Sequence, residues 1–243
     1  MRVVILAGGK GTRLLPYSLV LPKPLMPIVD LPILEIELRQ LRYYGFTELT
    51  IAVGHLANLI MALFGDGRKL GLEISYAIED RPRGTVGPLA QMPELRRENR
   101  PFLLMNGDTL TDLDLRAFAE QHSRGTAFVS VATYTKTLST DLGVIEMNAD
   151  RALVTFREKP LITFSVSMGI YAISPGVLDL IPDETPFGFD DLMRICLERR
   201  IEVRCHPHDG LWLDIGRPDD YRAAIEIFEK RRSVLCPWER NSG

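Results

Sequence analysis

The chain opens with a run at 2–6 that is wholly apolar after Arg2, and Ala7 leads from it into glycine. A continuous apolar run bounded by turn residues predicts a strand buried on both faces. Similar runs at 49–53, 73–78 and 102–105 alternate with helical spacings at 32–44, 55–64, 86–96 and 113–122. That rhythm predicts βαβ units: a mostly parallel sheet with helices on both faces. In the first helix Asp30 is placed to cap, Pro32 suits the first turn, and Ile33, Ile36, Leu38 and Leu41 approximate an apolar stripe. After Gly125 the apolar runs crowd together at 128–134, 143–147, 154–156 and 166–173, which predicts a partly antiparallel extension of the sheet. Helices are expected again at 190–199 and 218–231. No linker or low-complexity stretch intervenes. The pattern therefore predicts one α/β domain over 1–232, in two halves of about 1–125 and 126–232. The tail at 233–243, with Pro237 and Trp238, is expected to be an interface element or a loose end.

Composition narrows the class without choosing a function. With 243 residues, 46% hydrophobic and 25% charged, the chain can bury one sizeable core. A formal charge of −3 gives no general attraction to nucleic acid or to an anionic membrane. There is no apolar run long enough to span a bilayer and no signal-peptide layout at Met1-Arg2, so a cytoplasmic protein is expected. Cys196, Cys205 and Cys236 are widely spaced and odd in number, which argues against a disulfide framework or a zinc site. The His206-x-His208 pair is read as structural rather than metal-binding.

The chemistry begins where the first strand breaks, at Leu6-Ala7-Gly8-Gly9-Lys10-Gly11-Thr12-Arg13. Backbone N–H groups in a glycine-rich turn wrap an oligophosphate without obstruction by Cβ atoms. Arg13 and Lys23 add charge-assisted donors, and Lys23 is stiffened between Pro22 and Pro24. The turn is neither a Walker loop nor a dinucleotide fingerprint, because Leu14 stands where the third glycine of the latter would fall. Asn106-Gly107-Asp108 lies just beyond the carboxyl end of a buried strand, the place where open α/β sheets hold ligands. A carboxylate there suits Mg²⁺ bound together with substrate phosphates. Asp214 is set in the apolar run Trp212-Leu213-Asp214-Ile215, where a carboxylate needs a cation or donors if it is buried.

The pattern G-G-x-G-T-R-L-x-P-x-S-x-x-x-P-K-P at 8–24 resembles the signature of the sugar-1-phosphate nucleotidylyltransferases. The likeness extends over about 1–232 through Gly84-Thr85-Val86-Gly87, Glu158-Lys159-Pro160 and Trp212-Leu213-Asp214-Ile215-Gly216. It implies a Rossmann-like, mostly parallel sheet with a sugar-binding extension. It also implies transfer of a nucleoside monophosphate from a triphosphate to a sugar 1-phosphate, with release of pyrophosphate. By that resemblance Leu6, Ala7, Gly8, Gly9, Gly11, Thr12, Arg13, Gly84, Thr85, Asn106 and Gly107 contact the nucleotide. Arg13 and Lys23 are the catalytic cations, and Asp108 and Asp214 hold Mg²⁺. Gly143, Glu158, Lys159 and Ser167 face the sugar phosphate. Glu158 can accept from vicinal hydroxyls and Lys159 can neutralise the phosphate. An anionic phosphate oxygen attacks phosphorus in line, so catalysis needs positioning and charge neutralisation but no general base.

Departures from the pattern limit what is inherited. Ser167 stands where relatives commonly carry Asn, so the sugar is not carried over. Arg217 stands where Thr is usual, and no hexapeptide array follows Arg232. Glu79 lies near the point where thymidylyl- and many uridylyltransferases carry Gln. A carboxylate only accepts, which suits the paired donors of guanine and resembles the mannose- and heptose-1-phosphate guanylyltransferase branch. UTP or dTTP bound through backbone groups is the alternative. A phosphorylated alcohol such as phosphocholine is a weaker alternative acceptor. A catalytically silent regulatory subunit is disfavoured, since Arg13, Lys23, Asp108 and Asp214 are all present. The partners expected are small molecules, with self-association left open.

Overall fold

Alternation within the first strand decides the layering. In the computed structural model, which describes residues 1–183 and 185–241, β1 spans Val3–Ala7. Val3, Ile5 and Ala7 enter one apolar core while Val4 and Leu6 face another, so helices must cover both faces. The chain continues through the two-residue strands β2 (Pro27–Ile28) and β3 (Leu31–Pro32), α1 (Ile33–Tyr43), β4 (Glu48–Val53), α2 (Ala57–Phe64), β5 (Glu73–Ile78) and α3 (Pro93–Glu98). Next come β6 (Phe102–Asn106), β7 (Thr109–Thr111), α4 (Leu115–Arg124), β8 (Val129–Ser139), β9 (Val144–Met147), β10 (Leu153–Arg157) and β11 (Leu161–Ile173). The last elements are α5 (Phe189–Glu198), β12 (Val203–His208), β13 (Trp212–Asp214) and α6 (Pro218–Leu235).

Seven strands form the main sheet in the order β12-β8-β11-β6-β1-β4-β5. Pairings are parallel except on either side of β11, which runs antiparallel to β6 and β8. The expected α/β fold, parallel first and partly antiparallel later, is present. Leu34, Leu38 and Leu41 of α1 and Phe118 of α4 cover one face; Leu95, Leu192 and Cys196 cover the other. A third core, with Leu14, Ile33, Ile36, Leu110 and Phe228, seats α6 beside the segment that follows the glycine-rich loop. Each such fully buried side chain contributes on the order of 1.5–3 kcal/mol of transfer free energy.

Four local expectations are corrected. Asp30 does not cap α1: Pro32 occupies that position with no side-chain cap, and Asp30 instead accepts two hydrogen bonds from Arg232. The helix expected over 86–96 is broken into a 3-10 turn at Gly87–Gln91 and α3, because Pro93 can begin a helix but not continue one. Strands β8 and β11 run farther than their apolar runs, as their outer parts alternate Ser and Thr that pair across the ladder. The tail is not loose as far as Asn241. Leu235 and Cys236 are buried and the Leu235 carbonyl accepts from Gln40 Nε2 at 2.8 Å; Ser242 and Gly243 lie outside the described residues.

Cys196, Cys205 and Cys236 are free thiols. His206 and His208 do lie in a strand and make structural contacts, to Ser130 Oγ at 3.3 Å and Asp112 Oδ1 at 2.8 Å. Among the described residues no helix is long and apolar enough to cross a membrane.

Candidate active site

Parallel register aligns Ala7, Val53 and Ile78 in one row and sets Asn106 opposite Leu6. The segments that leave those four strands therefore open on one rim, where an α/β sheet gathers ligands. Gly8 follows β1, Gly54 follows β4, Glu79 follows β5 and Asp108 follows β6. A Cβ at position 8 would stand 2.4 Å from Glu79 Oε1, so a larger residue there would displace that carboxylate. The bare backbone lets the Glu79 carboxylate lie against the loop.

A cavity of about 330 Å³ opens at this rim. Its walls carry Leu6, Ala7, Gly8 and Gly9 of the loop, Lys23, Glu79, Gly84, Thr85, Asn106 and Asp108. Each of these ten was singled out in the sequence. Pro24, read in the sequence only as stiffening Lys23, completes the lining with Pro82 and Arg83, which sequence reasoning missed. Arg83 is buried, and its Nη1 donates to the Asp183 carbonyl at 2.9 Å while its Nε finds no partner among the described residues. A single arginine in a turn gives no sequence signal for such a place. A second cavity lies across the loop, lined by Gly9, Lys10, Gly54, His55, Asp80 and Arg81, and Glu79 belongs to both.

Lys23 and Asp108 meet as an ion pair in the first cavity, with the lysine side chain only 10% exposed. Below them Glu37 of α1 is fully buried. Its Oε1 accepts from the Thr109 N–H at 2.7 Å, and its Oε2 has no partner among the described residues. Desolvation pushes the Glu37 carboxyl well above the ordinary carboxylate range, with the nearby Asp108 charge adding to it and Lys23 opposing. Glu79 is also raised, chiefly by burial, although the Arg83 N–H and guanidinium pull the other way.

The turn at Gly84 is held from a distant part of the chain. The Phe187 carbonyl accepts from the Val86 and Gly87 N–H groups at 3.0 and 2.9 Å, and the Phe189 N–H donates to Thr85 Oγ1 at 2.8 Å.

Gly11 and Thr12 do not line the cavity; the Gly11 carbonyl accepts from the Leu14 N–H and from Ser18 Oγ, which folds the loop. Gly107 is buried and donates its N–H to Leu6, joining β6 to β1. Arg13 is exposed on the neighbouring turn, near Gly216 with Asp214 and Asp220. Antiparallel pairing of β13 with β7 sets Asp214 opposite Thr109, one residue from Asp108. Asp214 is exposed at the strand end, so it needs no buried partner. Among the described residues no group of three or more His, Cys, Asp or Glu is arranged to hold a metal. Asp108, just before β7 and paired with Lys23, and Asp214 at the end of β13 are hard carboxylate donors of the kind that Mg²⁺ takes together with phosphate oxygens and water.

The residues expected to face the sugar phosphate lie outside the cavity. Gly143 and Glu158 are neighbours at the base of the β9–β10 hairpin, Lys159 follows them, and all three are exposed. Ser167 donates to the Tyr171 hydroxyl at 2.9 Å and accepts from the Gly169 N–H. Gly169, at φ +75°, leaves the space that Asn106 fills, and so links this strand to the cavity.

Residues 2–231 match the family model described as "Nucleotidyl transferase". Among curated proteins, the chain is 32% identical over 256 residues to a UTP–glucose-1-phosphate uridylyltransferase of Synechocystis, covering 98% of this chain and 66% of that one. It is 33% identical over 237 residues to mannose-1-phosphate guanyltransferase beta-B of Xenopus laevis, covering 94% and 64%. It is 30% identical over 248 residues to the mannose-1-phosphate guanyltransferase of Candida albicans, covering 97% and 68%. The chain spans about two thirds of the length of these relatives. Among solved structures, HddC from Yersinia pseudotuberculosis complexed with GMP-PN superposes with a TM-score of 0.70 at 24% identity, covering 93% of this chain and 99% of that one.

Proposed function

The chain belongs to the nucleotidyl transferase family, and from that membership we propose that it transfers a nucleoside monophosphate from a triphosphate, GTP favoured, to a sugar 1-phosphate. The observation that carries the reading is the single cavity shared by the glycine loop, Lys23, Asp108, Glu79 and the Gly84 turn. Loop N–H groups and Lys23 bind the triphosphate. A phosphate oxygen of the sugar phosphate displaces pyrophosphate at the α-phosphorus, and it arrives already ionised, so no residue has to remove a proton. Lys23 and Arg13 stabilise charge on the transferring and leaving phosphates. Asp108 and Asp214 would hold Mg²⁺, which when bound neutralises phosphate charge. Gly143, Glu158, Lys159 and Ser167 orient the sugar phosphate on the extension that starts near residue 126.

The base assignment rests on Glu79. An ionised carboxylate accepts from two adjacent donors, as guanine presents and uracil or thymine does not. Several relatives are guanyltransferases by name, which agrees. The uridylyltransferase relative at 32% identity keeps a pyrimidine donor as the second reading. The test is pyrophosphate release from purified protein with Mg²⁺, each triphosphate in turn and a panel of sugar 1-phosphates. Fastest turnover with GTP is expected. Faster turnover with UTP or dTTP rejects the guanine assignment, and no release with any pair rejects the reaction.

A further inference from the structure

Two carboxylates line the first cavity, and each has a cation for company: Lys23 with Asp108, and Arg83 with Glu79. The first is a direct ion pair, and the second is built differently. The Arg83 N–H donates to Glu79 Oε2 at 3.4 Å, while its Nη1 donates to the Asp183 carbonyl at 2.9 Å and its Nη2 stands 3.6 Å from Asp80 Oδ1. Asp80 is 72% exposed, so water screens that contact and it neutralises little of the guanidinium charge. The Arg83 side chain is only 10% exposed, and its Nε has no partner among the described residues. A carbonyl asks only for a neutral donor, so the contact with Asp183 does not account for a full charge kept largely out of water at a cost. The backbone here is fixed as well: the Arg83 carbonyl accepts from the Phe187 N–H at 2.8 Å, and a Cβ on Gly87 would stand 3.1 Å from Arg83 Cβ.

We infer that Arg83 is a positioning residue for base choice: its charge keeps Glu79 an ionised, acceptor-only group against the base, and so favours guanine over a pyrimidine. The inference rests on the reaction proposed above and on Glu79 meeting the base. An ionised carboxylate accepts from the adjacent N1–H and N2–H₂ of guanine, one oxygen to each. Against uracil it accepts from N3–H alone, and its second oxygen then faces a carbonyl oxygen. A neutral carboxyl keeps one acceptor and gains an O–H donor, a pattern that N–H beside C=O answers in uracil and guanine alike. Base choice therefore follows charge. Burial favours the neutral carboxyl and the Asp80 charge adds to that, while Arg83 opposes both through its N–H and its guanidinium. Lys23 and Asp108 share the first cavity with Glu79 but are matched to each other, and Lys10, His55 and Arg81 share the second. Among all these neighbours, Arg83 and Asp80 are the ones whose charges bear on the ionisation of Glu79.

The measurement is the ratio of kcat/KM for GTP to that for UTP, from pyrophosphate release by the whole chain at about pH 6 and about pH 8. A ratio cancels whatever acid does to the phosphates, the metal or the fold. Arg83→Gln keeps a donor for the Asp183 carbonyl and removes the charge. It should lower the ratio about tenfold near pH 6 and much less near pH 8, the scale on which a neighbouring cation alters the ionisation of a carboxyl. Arg83→Lys keeps the charge and should hold the ratio within about twofold of wild type, even where turnover drops. In Glu79→Gln, which cannot ionise, adding Arg83→Gln should leave the ratio unchanged. Where a variant releases no pyrophosphate, its dissociation constants for GTP and UTP, from calorimetry, supply the same ratio. An unchanged ratio in Arg83→Gln overturns the inference, and so does an equal fall in Arg83→Lys or in the Glu79→Gln background. A wild type that prefers UTP rejects the guanine assignment alone, since the effect of Arg83→Gln is read against whichever ratio wild type shows.

Discussion

Lys23 and Asp108 neutralise each other across 85 positions of sequence, so each sets the electrostatics of the other. In the proposed reaction Lys23→Ala removes a phosphate donor, and in the structure it leaves the Asp108 charge uncompensated. The expected loss in kcat is about 10²–10³-fold, the scale of one preorganised electrostatic contact. A steady-state comparison checks it, and a change confined to KM would reduce Lys23 to ground-state binding. Glu79 gives a pH prediction. Burial raises its pKa, and the neutral form loses an acceptor, so KM for GTP should rise as pH falls toward and below that raised pKa. In Glu79→Gln that dependence should flatten, measured as KM for GTP against pH. Glycine spacing and flanking prolines made the loop legible in the sequence, since they constrain backbone directly. The ion pair and buried Arg83 were not legible, because nothing local in the chain reports which distant side chains will share a cavity.

Helix α1 supports the site from beneath through Glu37, and the sequence pattern treats that residue as one more polar position on a helix. Its burial follows from where β7 crosses the helix: the Thr109 N–H needs an acceptor there and Glu37 supplies it. Because its pKa is raised, the folded chain holds one more proton than the unfolded chain between the unfolded and folded pKa values. Folding stability attributable to Glu37 is therefore greatest at acid pH and is lost as pH rises through that window. Glu37→Gln keeps the acceptor and removes the titration. The stability difference between wild type and variant, from urea unfolding at about pH 5 and about pH 8, should shift in favour of the variant at the higher pH. Element types were mostly legible from periodicity. The break at Pro93 and the long outer ends of β8 and β11, where Ser and Thr alternate with apolar residues, were not, since ladder pairing extends those strands.

At the scale of the whole molecule, the sheet order and the third core came from outside the local pattern. Periodicity predicts a parallel sheet, but it does not say that β11 will insert next to β6 or that α6 will close over Leu14. The expected nucleotide half, about 1–125, consequently lacks a neighbour on one side of β6. Expressed alone, that fragment should associate through the open edge and show no thermal shift with any triphosphate, as read by size-exclusion and melting. The clasp of Phe187 and Phe189 on the Gly84 turn has a further consequence, because Phe189 is 104 positions downstream of Thr85. A chain emerging from the ribosome makes its glycine loop first and the piece that secures the Gly84 turn much later. On the function proposed, competence to hold nucleotide is therefore a late event in synthesis, acquired when α5 arrives rather than when the glycines do.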